Sequence, residues 1–193
     1  MVHKPDQAKE ILKHIDFEPE WFIDCGVGEG VEAQVFKQRW PGVNVIGFEP
    51  SMIGFSAIKD FPGKLIQKAV WFEDGERVFT ERATQMQSGF FRLPDHAALG
   101  ESSRWVETVK LDSVISHEKK NVVLWLDIEW SEIFALVGAV NSLRRGAVRV
   151  INVEAWEATA AILRGFLEPL GFGNVMSYEK EGGHWDEVWR LKG

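Results

Sequence analysis

Two carboxylates at the ends of apolar runs, one on each side of a glycine turn, are the residues best placed for chemistry. Asp24 closes Trp21-Phe22-Ile23 and leads through Cys25 into Gly26-Val27-Gly28-Glu29-Gly30, and Glu49 closes Val45-Ile46-Gly47-Phe48. Gly26, Gly28 and Gly30 let the backbone turn sharply and approach a ligand with no Cβ between. A carboxylate ending the second strand can accept both hydroxyl protons of a ribose. The glycines, with an acid nineteen residues after Gly30, also have the outline of a dinucleotide fingerprint. A dinucleotide, however, sets its pyrophosphate at the helix N-terminus, where Asp24 would repel it. S-adenosylmethionine (SAM) presents an ammonium and a sulfonium instead, so Asp24 favours SAM over a nicotinamide cofactor. A tight turn without a ligand is the bland alternative.

Further acids fall at later strand ends: Asp127 after Leu124-Trp125-Leu126, then Glu129, and Glu154 after Val150-Ile151-Asn152-Val153. Single acids there are commonly helix caps, and Asp112 and Ser131 are expected to be no more than that. Five carboxylates converging on one sheet edge exceed what capping needs. Asp24 and Glu49 are assigned to the cofactor, and Asp127, Glu129 and Glu154 to the substrate. Asp127 is the expected base or hydrogen-bond acceptor for a hydroxyl that attacks the methyl group in line. The rival is a structural acid, or an oxygen-ligated magnesium or calcium held with Glu129 and Glu154. No histidine or tight Asp pair supports a metal, so none is assigned. His96 and His184 could reach the mouth of the site, though each reads more simply as a loop residue. Trp130 and Trp156 follow strand-end acids and could stack on a sugar or aromatic acceptor. Cys25 could be a nucleophile, but a small packed residue is the simpler reading.

The elements that must position these residues alternate. Helical pattern runs from Pro5 to His14, a strand from Trp21 to Cys25, and a helix from Val31 to Trp40, stopped by Pro41-Gly42. Val43 to Phe48 is nearly all apolar, as a parallel strand buried on both faces should be. A short helix to Lys59 precedes a third strand, Lys64 to Trp71. Glu73 to Glu76 signals a hairpin turn with Arg77 to Thr80 returning. Thr84 to Gly100 reads as a substrate-binding loop or lid, and Phe90-Phe91 argues against solvated disorder there. Trp105 to Lys110 reads as an edge strand, Leu111-Asp112-Ser113 as the start of a short helix, and Val122 to Ile128 as a buried strand. A helix from Ser131 to Arg145, a strand from Val148 to Val153 and a helix from Thr159 to Leu170 follow. Asn174 to Glu179 and Trp185 to Leu191 close the chain as a hairpin around Gly182-Gly183. This succession implies an α/β, Rossmann-like fold: a mostly parallel seven-stranded sheet with a C-terminal antiparallel hairpin and an inserted hairpin and loop over 72–110. One domain, 1–193, with a helical leader over 1–20, is expected.

The 193 residues, 45% of them hydrophobic, suit an ordinary globular domain. No apolar run is long enough to span a bilayer. One cysteine excludes an internal disulfide and fits a reducing, cytoplasmic setting. A net charge of −7 argues against nonspecific binding to nucleic acid or an anionic membrane. The expected partner is a small-molecule acceptor; the oligomeric state is not legible.

Beyond the glycine turn, the chain resembles the FkbM family of SAM-dependent methyltransferases from about Phe22 to Trp156. Phe22-Ile23-Asp24-Cys25-Gly26 and Gly47-Phe48-Glu49-Pro50-Ser51 resemble its first two motifs. Lys68-Ala69-Val70, Asp74-Gly75, Val78-Phe79 and Gln87-Ser88-Gly89 are similar to its middle region. Leu111-Asp112-Ser113-Val114, Leu126-Asp127-Ile128-Glu129-Trp130-Ser131-Glu132 and Leu136-Val137-Gly138-Ala139 resemble its most distinctive signature, and Val150 to Glu154 completes it. The resemblance implies the class I methyltransferase fold, SAM as cofactor with Ser51 and Ala69 among its contacts, and O-methylation of a hydroxyl on a sugar or secondary metabolite. The family usually has glycine where this chain has Trp130, so an indole is expected to reshape the acceptor pocket. A non-catalytic SAM- or nucleoside-binding module remains the alternative, and an NAD-dependent oxidoreductase a more distant one.

Overall fold

A computed structural model describes residues 4–81, 88–90, 102–180 and 183–193. Helix α1 (Lys4–Leu12) precedes β1 (Trp21–Cys25), α2 (Val31–Arg39), β2 (Asn44–Phe48), α3 (Met52–Ala57) and β3 (Lys64–Ile66). Then come β4 (Ala69–Trp71), β5 (Gly75–Glu81), β6 (Ser102–Lys110), α4 (Leu111–Val114) and β7 (Val122–Leu126). Helices α5 (Glu132–Val137) and α6 (Val140–Arg144), strand β8 (Val148–Trp156) and helix α7 (Glu157–Leu167) lead to β9 (Phe172–Glu179) and β10 (His184–Leu191).

Seven strands form the main sheet in the order β3-β2-β1-β7-β8-β10-β9. All neighbours from β3 to β8 run parallel, and β10 is antiparallel to both β8 and β9. The antiparallel strand is therefore one in from the edge, not at it. The last hairpin folds back so that β10 slots between β8 and β9. Alternate residues of the central strands point to opposite faces. Ile23, Leu124, Leu126, Ile151 and Val153 meet Leu136, Leu143, Leu163 and Leu167 on one side. Phe22, Val123, Trp125 and Val150 meet Ala8, Ile11, Ala33 and Phe36 of α1 and α2 on the other. Phe36 stacks on Phe22 with centroids 3.9 Å apart, which seats α2 directly over β1 and fixes the turn between them.

Several expectations change, among them the hairpin around 73–76: β5 pairs with β6 and not with the strand before the turn. The single strand over 64–71 is two: β3 pairs with β2, whereas β4 leaves for a separate sheet of order β4-β6-β5. The Lys68 N–H donates back to the Ile66 carbonyl, so the chain kinks between them. Strand β6 is the middle of that small sheet, parallel to β4 and antiparallel to β5, rather than an edge. The helix over 131–145 is broken at Gly138-Ala139, because the segment lies against the backbone of β4. A Cβ on Gly138 would stand 2.4 Å from the Trp71 carbonyl oxygen. Asp112 then restarts the helix, taking the N–H groups of Asn141 and Ser142 on its two oxygens. Asp112 is thus a cap, as expected, but of α6 rather than of its own helix.

Candidate functional site

The residues expected to hold the cofactor gather where β1 and β2 end. After Cys25 the chain turns across β2, with the N–H groups of Gly26 and Val27 both directed at the Phe48 carbonyl. Gly26 has φ 86, and a Cβ there would lie 1.9 Å from the Asp127 carbonyl oxygen. Glycine is the residue that fits between the ends of β1 and β7. Gly28 and Gly30 also have positive φ, and Gly30 opens α2. Asp24 is buried on β1, paired in register with Gly47 of β2 and Trp125 of β7. Glu49 is buried too; its Oε1 accepts the Ser51 N–H at 2.8 Å and its Oε2 the Gly28 N–H at 3.3 Å. Burial pushes the Glu49 carboxyl up from its usual value and Glu81 adds to this, against the two backbone donors.

Ser51 and Ala69 are placed differently from the carboxylates. The Ser51 hydroxyl accepts the Gly54 N–H as the cap of α3 and donates to Glu81 at 2.7 Å. Ala69 is buried in the small sheet against Phe79 and Val106. Glu81 was not singled out by sequence. It also accepts the Ile53 N–H and Arg104 Nε, while Arg104 Nη2 donates to the Pro50 carbonyl. This buried network clamps the segment directly after Glu49. A charged residue ending an alternating strand was its only signal.

Of the residues expected to face the substrate, the structure brings Asp127 and Glu154 together around a residue that sequence reading missed. Lys180 Nζ, in the turn between β9 and β10, lies 2.9 Å from Asp186 Oδ1, 3.1 Å from Glu154 Oε1 and 3.4 Å from Asp127 Oδ2. Glu154 and Asp186 are direct cross-strand partners on β8 and β10. Like charges in such a pair repel, and the lysine bridges them. Burial, then Asp127, pushes the Glu154 carboxyl up to about 7. Asp186 is also raised to about 7, by burial first, with Lys180 opposing. Glu132, at the start of α5, accepts the Ile128 N–H at 2.9 Å; burial, reinforced by Glu154 and Asp127, pushes it well up. Beneath Glu154 on the same face of β8, Asn152 is fully buried with neither amide atom hydrogen-bonded. Among the described residues, no three His, Cys, Asp or Glu side chains are arranged to hold a metal ion.

Glu129 lies on the turn after β7. It has φ 54 and lies beside Gly89, where a Cβ would approach Glu129 Cβ to 3.5 Å. Trp130 follows at φ 73. That left-handed conformation suits glycine and strains an indole-bearing residue by about 1–3 kcal/mol. Its ring stacks on Trp156 at 4.5 Å, and Trp156 stacks in turn on His184 at 4.5 Å. Such contacts offset part of the strain. Trp156 Nε1 donates to Glu154 Oε2, so the stack stands against the carboxylates. His96 lies outside the described residues, as do 84–87 and 91–100 of the expected lid; Phe90 packs edge-on against Trp71 and Phe79. Cys25 is wholly buried, and burial followed by Asp24 raises its thiol well above the usual value, which makes it inert. A depression of about 480 Å³ lined by Trp21, Lys37, Asn44, Lys64 and Lys119 opens at the opposite edge, where β1 and β2 begin, and holds no carboxylate.

No protein-family model and no curated protein matches the sequence. Solved structures do match in fold. The methyltransferase FkbM from Methylobacillus flagellatus KT is 14% identical with a TM-score of 0.65, covering 97% of this chain and 50% of its own. This chain therefore spans half the length of that protein. Magnesium protoporphyrin IX methyltransferase from Synechocystis PCC 6803, solved with bound SAM, is 12% identical with a TM-score of 0.52, covering 97% of this chain and 77% of its own. A candidate RNA methyltransferase from Pyrococcus horikoshii is 13% identical with a TM-score of 0.50, covering 96% and 84%. One neighbour is named for RNA, so the expectation of no nucleic-acid partner draws no support from the fold and rests on the net charge of −7. Among the described residues no helix is long and apolar enough to cross a membrane. The mostly parallel seven-stranded sheet with its inserted antiparallel β10 is that of the class I methyltransferase fold, which this chain shares with the FkbM methyltransferase.

Proposed function

We propose that this chain is a SAM-dependent methyltransferase acting on a hydroxyl of a sugar or other small metabolite. The observation that carries this reading is the pair Asp24 and Glu49 on either side of the Gly26–Gly30 turn. Both carboxylates are buried at the ends of adjacent parallel strands. Each Glu49 oxygen takes one backbone N–H and keeps a lone pair for a ribose hydroxyl. Asp24 supplies negative charge where a dinucleotide would bring more of it, and where SAM brings cations. Bound SAM would supply an electrophilic methyl group. Asp127, at the next strand end and partly exposed, is positioned to orient an acceptor hydroxyl and take its proton. The net charge of −7 and the Trp130–Trp156 stack favour an uncharged small acceptor over nucleic acid.

The test is calorimetry with S-adenosylhomocysteine (SAH), with NAD as control. Micromolar binding of SAH and none of NAD is the expected result; the reverse would overturn the cofactor assignment. Trp130→Gly bears on the acceptor. The turn already has the backbone glycine prefers, so the variant should fold and bind SAH within about threefold of wild type, a change of well under 1 kcal/mol. Its acceptor profile in a screen of sugar and polyketide hydroxyls should change. A large loss of SAH affinity would instead place the indole in the cofactor site.

A further inference from the structure

The Lys180 cluster is better built than a chance surface contact. An ammonium has three protons, and three carboxylates from three strand ends surround this one at 2.9, 3.1 and 3.4 Å. Its side chain is 18% exposed. Its backbone is tied down as well, with the Lys180 N–H on the His184 carbonyl. The remaining Glu154 oxygen takes the Trp156 indole N–H, and His184 Nε2 lies 3.5 Å from Glu154 Oε1. We infer that Lys180 is the resident cation of the acceptor side: its ammonium fills the seat among Asp127, Glu154 and Asp186 that a substrate ammonium would otherwise take. The acceptor such a site fits is an uncharged hydroxyl compound, and Lys180 acts as a positioning residue for Asp127. The acceptor half of this inference rests on the methyltransferase reading; the cation seat does not.

The groups facing the ammonium set a pH signature. They are Asp127 after β7, Glu154 on β8, and Asp186 and His184 on β10, with Glu132 of α5 behind Glu154. Burial works against the Lys180 charge, but Asp127, Asp186 and Glu154 outweigh it and raise the group above its usual 10.5. Its stabilising contribution is therefore fully present below the unfolded value and lost only in strong alkali. Glu154 and Asp186 run the other way. Raised from 4.5 and 3.8 to about 7, they ionise later in the folded protein, so stability declines as pH rises across that interval. The lysine limits that decline. Without it the decline should deepen, chiefly above pH 7.

Thermal unfolding of wild type, Lys180→Met and Lys180→Arg at pH 5 and pH 8 tests this. Lys180→Met should lose about 5–10 °C at pH 8 and less than half of that at pH 5, while Lys180→Arg keeps most of the wild-type stability. In Lys180→Ala, ethylammonium chloride should raise the melting temperature at pH 8 relative to sodium chloride of equal ionic strength, and leave wild type unmoved. An equal loss at both pH values would reduce Lys180 to a packing role and overturn the inference, as would calorimetric binding of Mg²⁺ or Mn²⁺ by the wild type. SAH should bind Lys180→Met within about threefold of wild type, because Asp24 and Glu49 lie on other strands. Failure of the wild type to bind SAH would overturn the methyltransferase reading and the acceptor class with it, while the pH comparison still decides the cation seat.

Discussion

Gly26→Ala is expected to destabilise the protein by about 3–5 kcal/mol and to abolish SAH binding. Two independent costs combine. The residue has φ 86, a conformation that penalises any Cβ, and the new methyl would stand 1.9 Å from the Asp127 carbonyl oxygen. That atom belongs to backbone and cannot swing away as a flexible side chain would. The Asp127 N–H also donates to the Cys25 carbonyl at 3.0 Å, so pushing the strands apart breaks the bond that aligns both strand ends. Gly165→Ala is the matched control: it lies in α7 with nothing within 4 Å of its Cβ position, and should stabilise by about 0.5–1 kcal/mol. Urea denaturation of both variants separates the two outcomes. A loss below about 1 kcal/mol at Gly26 would mean that the ends of β1 and β7 are not held this closely.

Glu49→Ala should weaken SAH binding by about 1–3 kcal/mol, roughly fivefold to 150-fold, through the lost ribose hydrogen bonds. Part of the effect is indirect, because the Gly28 and Ser51 N–H groups lose their acceptor. Glu49→Gln distinguishes the parts: its single carbonyl can serve one of those amides, and it cannot titrate. Burial raises the wild-type carboxyl, and the ionised form is the one with lone pairs for both hydroxyls. SAH affinity of the wild type should therefore fall as pH drops into the raised range, and that slope should vanish in Glu49→Gln. Unchanged affinity in Glu49→Ala by calorimetry would put the ribose elsewhere.

The aromatic turn after β7 shows how a residue type is read differently once its backbone is known. In sequence, Trp130 is an indole at a position the FkbM family usually gives to glycine. In the structure it occupies φ 73 and leans on Trp156, so the chain holds a glycine-like turn with a side chain that must find a stacking partner. The position constrains backbone first and pocket shape second.

Strand ends were legible because they depend on local pattern. The apolar runs ending at Cys25, Phe48 and Leu126 are buried on both faces, and the acids Asp24, Glu49 and Asp127 stand at those ends. Glycine and proline marked the turns, since their backbone preferences act within a few residues. The breaks at Lys68 and Gly138 were not legible, because each arises where one segment crosses another: β4 leaves the main sheet, and α5 meets its backbone. Lys180 and Asp186 were hidden for the same reason. Their separation in sequence from Asp127 and Glu154 carries no periodicity, and only the insertion of β10 between β8 and β9 brings Asp127, Glu154 and Asp186 within 3.4 Å of the Lys180 ammonium. Local pattern by itself determined the central parallel strands, the glycine turn and the acids at their ends. Which carboxylates share a cation was decided by tertiary structure alone, because electrostatic pairing depends on distance in space and leaves no trace in the order of residues.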